Sequence, residues 1–201
     1  MKHQQLVTAY PAAEPNLEKF AHWLATEGLI RGLLGPREQG KIWDRHLANC
    51  AVISELIPQG ATLIDIGSGA GLPGLVIAIV RPDVTCTLVE PLLRRSEFLQ
   101  EVINDLKLPN VSVFRARADQ VTHIQADVVT ARAVAPLNKL LVWALPLMKS
   151  GGEILAMKGA SANEEIAQAQ NELKGFQAEV LTVGQGIVDP LTTVVRVHRV
   201  G

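Results

Sequence analysis

No cysteine in this chain has the company that metal or redox chemistry requires. Cys50 and Cys86 stand apart in apolar surroundings, without a CxxC spacing or a histidine cluster nearby. Both read as reduced core residues, and no metal site is expected. Charge of one sign is missing too: 19 Lys and Arg against 20 Asp and Glu leave a net charge of −1. No global basic field announces a nucleic-acid partner, so RNA or DNA binding would need a local patch. No apolar run approaches the roughly 18 residues of a membrane span, and MKHQQLVTAYPAAEP lacks the apolar centre of a signal peptide. A soluble, cytoplasmic protein is expected. Repeats and low-complexity tracts are absent.

What remains is apolar and alternating. Hydrophobic residues make up 48% of the 201 positions, enough for a well-buried core in one α/β domain with an appendage. Residues 1–60 read as a helical extension. Leu17, Phe20, Ala21 and Leu24 share one helical face, and Trp43, Leu47, Cys50, Ser54 and Ile57 share another. From residue 61 to 201, short apolar strands alternate with helical stretches: ATLIDI, VTCTLVE, VSVFRA, DVVTARA and GEILAMK. This is the pattern of a doubly wound, mostly parallel Rossmann-like sheet. FQAEVLTVGQ and TTVVRVHRV then predict an antiparallel hairpin at its end.

The most informative stretch is DIGSGAGLPG, residues 65–74, where the first strand hands over to the first helix. A turn there needs one or two glycines. Gly67, Gly69, Gly71 and Gly74 within eight residues favour a ligand lying against bare backbone. Two ligands compete. Gly69–Gly74 matches the dinucleotide fingerprint GxGxxG, the basis of a small NAD(P)-dependent oxidoreductase reading. From Asp65 the same residues form the loop of S-adenosylmethionine-dependent methyltransferases. In either case Glu90, 21 residues after Gly69, is placed to accept hydrogen bonds from a ribose diol. The terminal hairpin, Asp119 beyond the third strand as a reader of an adenine amino group, and the lack of a second domain all favour adenosylmethionine. Asp65 either orders the loop through backbone N–H groups or meets the cofactor's amino group. A non-enzymatic nucleotide-binding module that docks on ribosomes is the third reading.

The complete string DIGSGAGLPG resembles bacterial small-subunit ribosomal RNA guanine-N7 methyltransferases, the glucose-inhibited division protein B family. Asp44-Arg45-His46-Leu47, Arg81-Pro82, Arg117-Ala118-Asp119, Ala131-Arg132-Ala133 and Met157-Lys158-Gly159 add to the likeness, which runs from about residue 15 to the C-terminus. Departures include His46-Leu47-Ala48-Asn49-Cys50 for the family's His-Leu-Leu-Asp-Ser, Ala131 for a usual Ser, and Asp119 for a frequent Glu. Arg31–Arg37 replaces a frequent Asn-Leu-Thr. The resemblance implies methyl transfer from S-adenosyl-L-methionine to N7 of a guanine in 16S ribosomal RNA, presented naked or in the small ribosomal subunit. It implies cofactor contacts at Gly67, Leu72, Ala118, Asp119 and Arg132, to which residue reasoning adds Asp65, Gly69, Gly71 and Glu90.

Guanine N7 carries a lone pair and no proton, so the chemistry requires alignment and no general base. Well-oriented reactants can gain roughly 7–11 kcal/mol from alignment. Arg132, at the end of the fourth strand, is the candidate catalytic residue. Its guanidinium suits a carbonyl, a phosphate or the guanine O6 edge. Arg37, Arg45, His46 and Lys158 are RNA-binding candidates. His46 reads equally as a packed histidine and Lys158 as a solvated one. Residues 1–60 hold as many acids as Lys and Arg, so the RNA expectation rests on the resemblance. With no apolar stripe left over, a monomer is expected.

Overall fold

The computed structural model describes residues 2–200. Seven strands form one sheet: β1 (Thr62–Ile66), β2 (Thr85–Val89), β3 (Val111–Phe114), β4 (Ala126–Arg132), β5 (Met148–Lys158), β6 (Phe176–Val183) and β7 (Thr192–Arg199). Their order is β3-β2-β1-β4-β5-β7-β6. The first five are parallel, and β7 lies antiparallel between β5 and β6. All seven predicted strands are present.

Alternation along each strand sends neighbouring residues to opposite cores. Leu63, Val128, Leu155 and Val194 face one core, while Ile64, Val129, Ile154 and Val195 face the other. Helices α4 (Gly74–Val80) and α5 (Leu93–Leu106) cover the first face; α6 (Leu137–Ala144) and α7 (Ala162–Gln168) cover the second.

The N-terminal segment, with α1 (Lys2–Ala9), α2 (Glu14–Trp23) and α3 (Ala48–Ala51), joins the first core through Leu6, Leu17, Phe20, Leu24, Leu47 and Ile53. Trp23 Nε1 donates to Asp105 at 2.9 Å, and Arg31 forks onto Glu101 at 3.0 and 2.6 Å, binding the segment to α5. Arg81 donates to the carbonyls of Ser54, Ile57 and Pro58 and so fastens the end of the segment to the turn after α4.

The second predicted helix is irregular. A wide π turn spans Ile42–Leu47, α3 follows, and a tight 3-10 turn spans Val52–Leu56. In the wide turn, residues five apart share a face, so Ile42 and Leu47 are buried and Trp43 is only half-buried. Of the expected stripe, Leu47, Cys50, Ser54 and Ile57 are buried and Trp43 packs partly exposed against the same core, with Ile42 joining them.

Packing at the start of α4 gives a direct test. A Cβ on Gly74 would overlap Leu88 Cδ2 and lie 2.7 Å from Asp65 Oδ2. Gly74→Ala should lower stability by about 1–3 kcal/mol in urea unfolding. Gly40→Ala, where nothing lies within 4 Å, should stay within about 0.5 kcal/mol of wild type.

Candidate active site

Strand order reverses between β1 and β4, and the crevice beyond their carboxyl ends is where α/β sheets bind ligands. The loop leaving β1 is held back against β2, with the N–H groups of Gly67 and Ser68 both bonded to the Val89 carbonyl at 2.8 and 3.2 Å. Gly67, Gly69 and Gly71 have φ of +66°, +55° and +90°, left-handed values that L side chains rarely adopt. At Gly67 a Cβ would also stand 2.8 Å from Val134 Cγ2, so both conformation and space demand glycine.

Two carboxylates tie this loop. Asp65 is the last but one residue of β1 and its side chain is fully buried. Oδ2 accepts the Gly74 N–H at 3.0 Å, while Oδ1 has no partner. Of the two roles open to Asp65, ordering the loop is the one its contacts serve. Burial pushes its carboxyl up to about 7, against the lowering effect of Ser68 and of the Gly74 N–H. Glu90 is also buried: Oε2 accepts from Gly69 N–H at 2.9 Å and Oε1 from Leu92 N–H at 3.0 Å. Each oxygen retains acceptor capacity for a further donor.

A small cavity of about 190 Å³ opens beside Gly67, between Ile66, Val89, Pro91, Ala118, Asp119 and Trp143. Its lining is mainly apolar. Asp119, at its rim, is paired with Arg117 at 3.1 Å. A second cavity, about 1000 Å³, lies past the ends of β4 and β5 and is lined by Arg45, Asn49, Arg132, Met157, Lys158 and Leu191, among others. Val134 borders both. Directly after Arg132, Ala133 adopts φ +55°. This conformation is unusual for a side-chain-bearing residue, and it turns the chain so that Val134 stands between the cavities.

Apart from Arg37 and His46, the predicted residues fall into three groups. Gly67, Ala118 and Asp119 meet at the small cavity, and Arg45, Arg132 and Lys158 at the large one. Asp65, Gly69, Gly71, Leu72 and Glu90 line neither; Gly69, Gly71 and Leu72 form the loop that Asp65 and Glu90 fasten.

Two of the RNA-binding candidates have their polar atoms engaged within the protein. His46 is 5% exposed, with Nε2 2.9 Å from Glu38 Oε2 and Nδ1 2.7 Å from Arg132 Nη2. Both ring nitrogens are spent inside the protein. Lys158 pairs with Glu165 at 2.7 Å and donates to the Ala135 carbonyl at 2.8 Å, while Glu165 also accepts the Leu137 N–H. Lys158 therefore clamps the loop after β4 while lining the large cavity. Arg37 is exposed, and Arg45 is exposed but paired with Glu38 at 3.1 Å.

Glu38, Cys50, Val134 and Glu165 were not anticipated. Cys50 and Val134 are revealed only by distant partners, Arg132 and Gly67, while Glu38 and Glu165 pair with residues three to eight positions away in no pattern that marks a site.

Comparison with known proteins gives the family. The family described as GidB, rRNA small subunit methyltransferase G, matches residues 13–188. The chain belongs to this family. A ribosomal RNA small subunit methyltransferase G of Thermobifida fusca is 56% identical over 187 residues, covering 91% of this chain and 79% of that one. Its counterpart in Corynebacterium glutamicum strain R is 48% identical over 207 residues, covering 96% and 93%.

Among solved structures, a putative S-adenosyl-L-methionine-dependent methyltransferase of Methanococcus maripaludis superposes with a TM-score of 0.61 at 16% identity, covering 77% of this chain and 86% of that one. The M. jannaschii TYW2 complex with AdoMet gives 0.55 at 19% identity, covering 74% and 73%. These likenesses establish the methyltransferase fold. The GidB relatives lend no support to the nicotinamide alternative, and the GxGxxG match is part of a methyltransferase loop.

Asp65 makes stability depend on pH. Its carboxyl ionises near 3.8 when unfolded and near about 7 when folded, so between these values the folded state holds a proton that the unfolded state has lost. Its contribution is complete below 3.8 and disappears as pH rises through 7, with a slope on the order of 1 kcal/mol per pH unit. Asp65→Asn should flatten that slope in urea titrations from pH 4 to 7.5.

Proposed function

We propose that this chain transfers a methyl group from S-adenosyl-L-methionine to N7 of a guanine in small-subunit ribosomal RNA, acting as a monomer in the cytoplasm. Family membership supports the reaction class. The observation that carries the site assignment is the pair of cavities sharing Val134, one at the glycine loop and one at Arg132.

The residues present fit the cofactor. The cradle at Gly67 is one that a Cβ would fill, and the small apolar cavity with Asp119 at its rim suits an adenine whose amino group needs an acceptor. The loop near Glu90 suits the ribose hydroxyls. Arg132 offers a guanidinium to a carboxylate, a pairing worth more than a neutral hydrogen bond. When bound, the cofactor supplies a methyl group already activated on a positively charged sulfonium.

The protein's part is then orientation. Ala133 and Val134 separate the two cavities, and the Lys158–Glu165 clamp holds the loop that carries them. The larger cavity has room for a base with its flanking phosphates, and Arg45 stands at its edge. Guanine N7 needs no deprotonation, so no histidine or carboxylate is required as a base there.

Incubation with methyl-labelled S-adenosylmethionine and unmodified small subunits, followed by nucleoside mass spectrometry, should give labelled 7-methylguanosine. Its absence on both subunits and naked RNA would overturn the proposal. Arg132→Ala should weaken adenosylmethionine binding about 10- to 100-fold by calorimetry, the equivalent of one charged hydrogen-bonded contact.

A further inference from the structure

Arg132 is required above as a fixed charge, yet no carboxylate pairs with it among the described residues. Its terminal nitrogens go instead to two acceptors from the N-terminal segment. Nη2 lies 2.7 Å from His46 Nδ1, and Nη1 donates to Cys50 Sγ at 3.1 Å.

The first bond is conditional. Nδ1 accepts only when the single ring proton sits on Nε2. The group facing Nε2 is Glu38, at 2.9 Å, on the turn Pro36–Lys41. A carboxylate can only accept, so it selects the Nε2–H tautomer and leaves Nδ1 bare for the guanidinium.

The surrounding charges agree. Burial and then the Arg132 charge lower the His46 pKa, keeping the ring neutral against the raising effect of Glu38. Burial opposes ionisation of Glu38, but Arg45, Lys41 and the His46 bond outweigh it and hold its pKa below the ordinary value. Asp65 and Cys50 are the other titratable groups near Arg132.

We propose that His46 is a positioning residue for Arg132, aimed by Glu38, and that this chain of contacts from the N-terminal segment sets the guanidinium for the negatively charged end of the cofactor. The inference rests on the cofactor reading above. It gives Asp44-Arg45-His46-Leu47 a role in the cofactor site that the expectation of RNA contact did not include. Arg45 also bonds Glu38, on its second oxygen, at 3.1 Å while lining the large cavity, so the aiming carboxylate touches the rim where RNA would enter.

The test separates the two bonds of the ring. Asparagine can place an amide oxygen near Nδ1 and keep the acceptor for Arg132; glutamine can reach the Nε2 position and keep Glu38 while losing that acceptor. By calorimetry, His46→Gln should raise the Kd for adenosylmethionine about tenfold, and His46→Asn no more than about threefold. Glu38→Ala, on a surface turn, should raise it about threefold. In an Arg132→Ala background, Glu38→Ala and His46→Gln should add nothing, because residues acting through one group are not additive.

Equal losses for Gln and Asn, an unchanged Kd for both, or full additivity with Arg132→Ala would overturn the proposal. If the His46 variants fail to fold, the Glu38–Arg132 cycle alone decides it. Wild-type protein that does not bind adenosylmethionine would defeat the cofactor reading itself, and this inference with it. That result is distinct from normal binding that ignores His46 and Glu38.

Discussion

Asp65 sits where β1 must stop being a strand and α4 must begin. The two-residue period of β1 aims its side chain at the core shared with α4 and the N-terminal segment, among Leu63, Leu75 and Leu88. A carboxyl group there is costly unless hydrogen-bonded. The Gly74 N–H is the donor it finds. That bond ties the strand to the helix across residues 67–73, whose tight turn carries three left-handed glycines and is held as well by Val89 and Glu90. The cavity at Gly67 opens beside that turn, and the backbone at Ala133 sets Val134 against it. Asp65 is thus a structural cost that the ligand crevice depends on, which explains a buried acid with one oxygen left unpartnered.

The N-terminal segment contributes to the same crevice from the opposite direction. Its apolar residues complete the first core, so it is anchored by burial and by the Trp23, Arg31 and Arg81 contacts. Its polar residues then arrive at fixed places. The wide turn at Ile42–Leu47 brings Ile42 and Leu47 inward and turns His46 towards the end of β4. Cys50, in α3, brings its thiol into contact with Arg132. His46 and Cys50 hold the guanidinium, and the buried Asp65 carboxyl lies close enough to feel its charge.

On the other side of the crevice, charge pairing serves geometry more than attraction. Lys158 and Glu165 join the end of β5 to α7, and together they take the Ala135 carbonyl and the Leu137 N–H. The loop after β4 would otherwise leave those backbone groups unpaired beside Ala133, whose conformation already carries strain. A lysine that reads as a phosphate ligand in one dimension is therefore part of the wall.

The strand and helix alternation after residue 60 and the glycine loop were legible in the chain because they depend on local rules. A two-residue period defines a strand face, and four glycines between a strand and a helix mark a turn around a ligand. Glu90 and Asp65 were legible as acids at strand ends for the same reason. The destinations of His46, Lys158 and Arg31 were not, since each depends on a partner far along the chain: Arg132, the Ala135 carbonyl and Glu101 respectively. Residue type and local spacing determined which groups stand at the crevice. Only the packing of the N-terminal segment against the sheet decided which of their charges are spent inside the protein and which remain for a ligand, because pairing is a matter of distance in space.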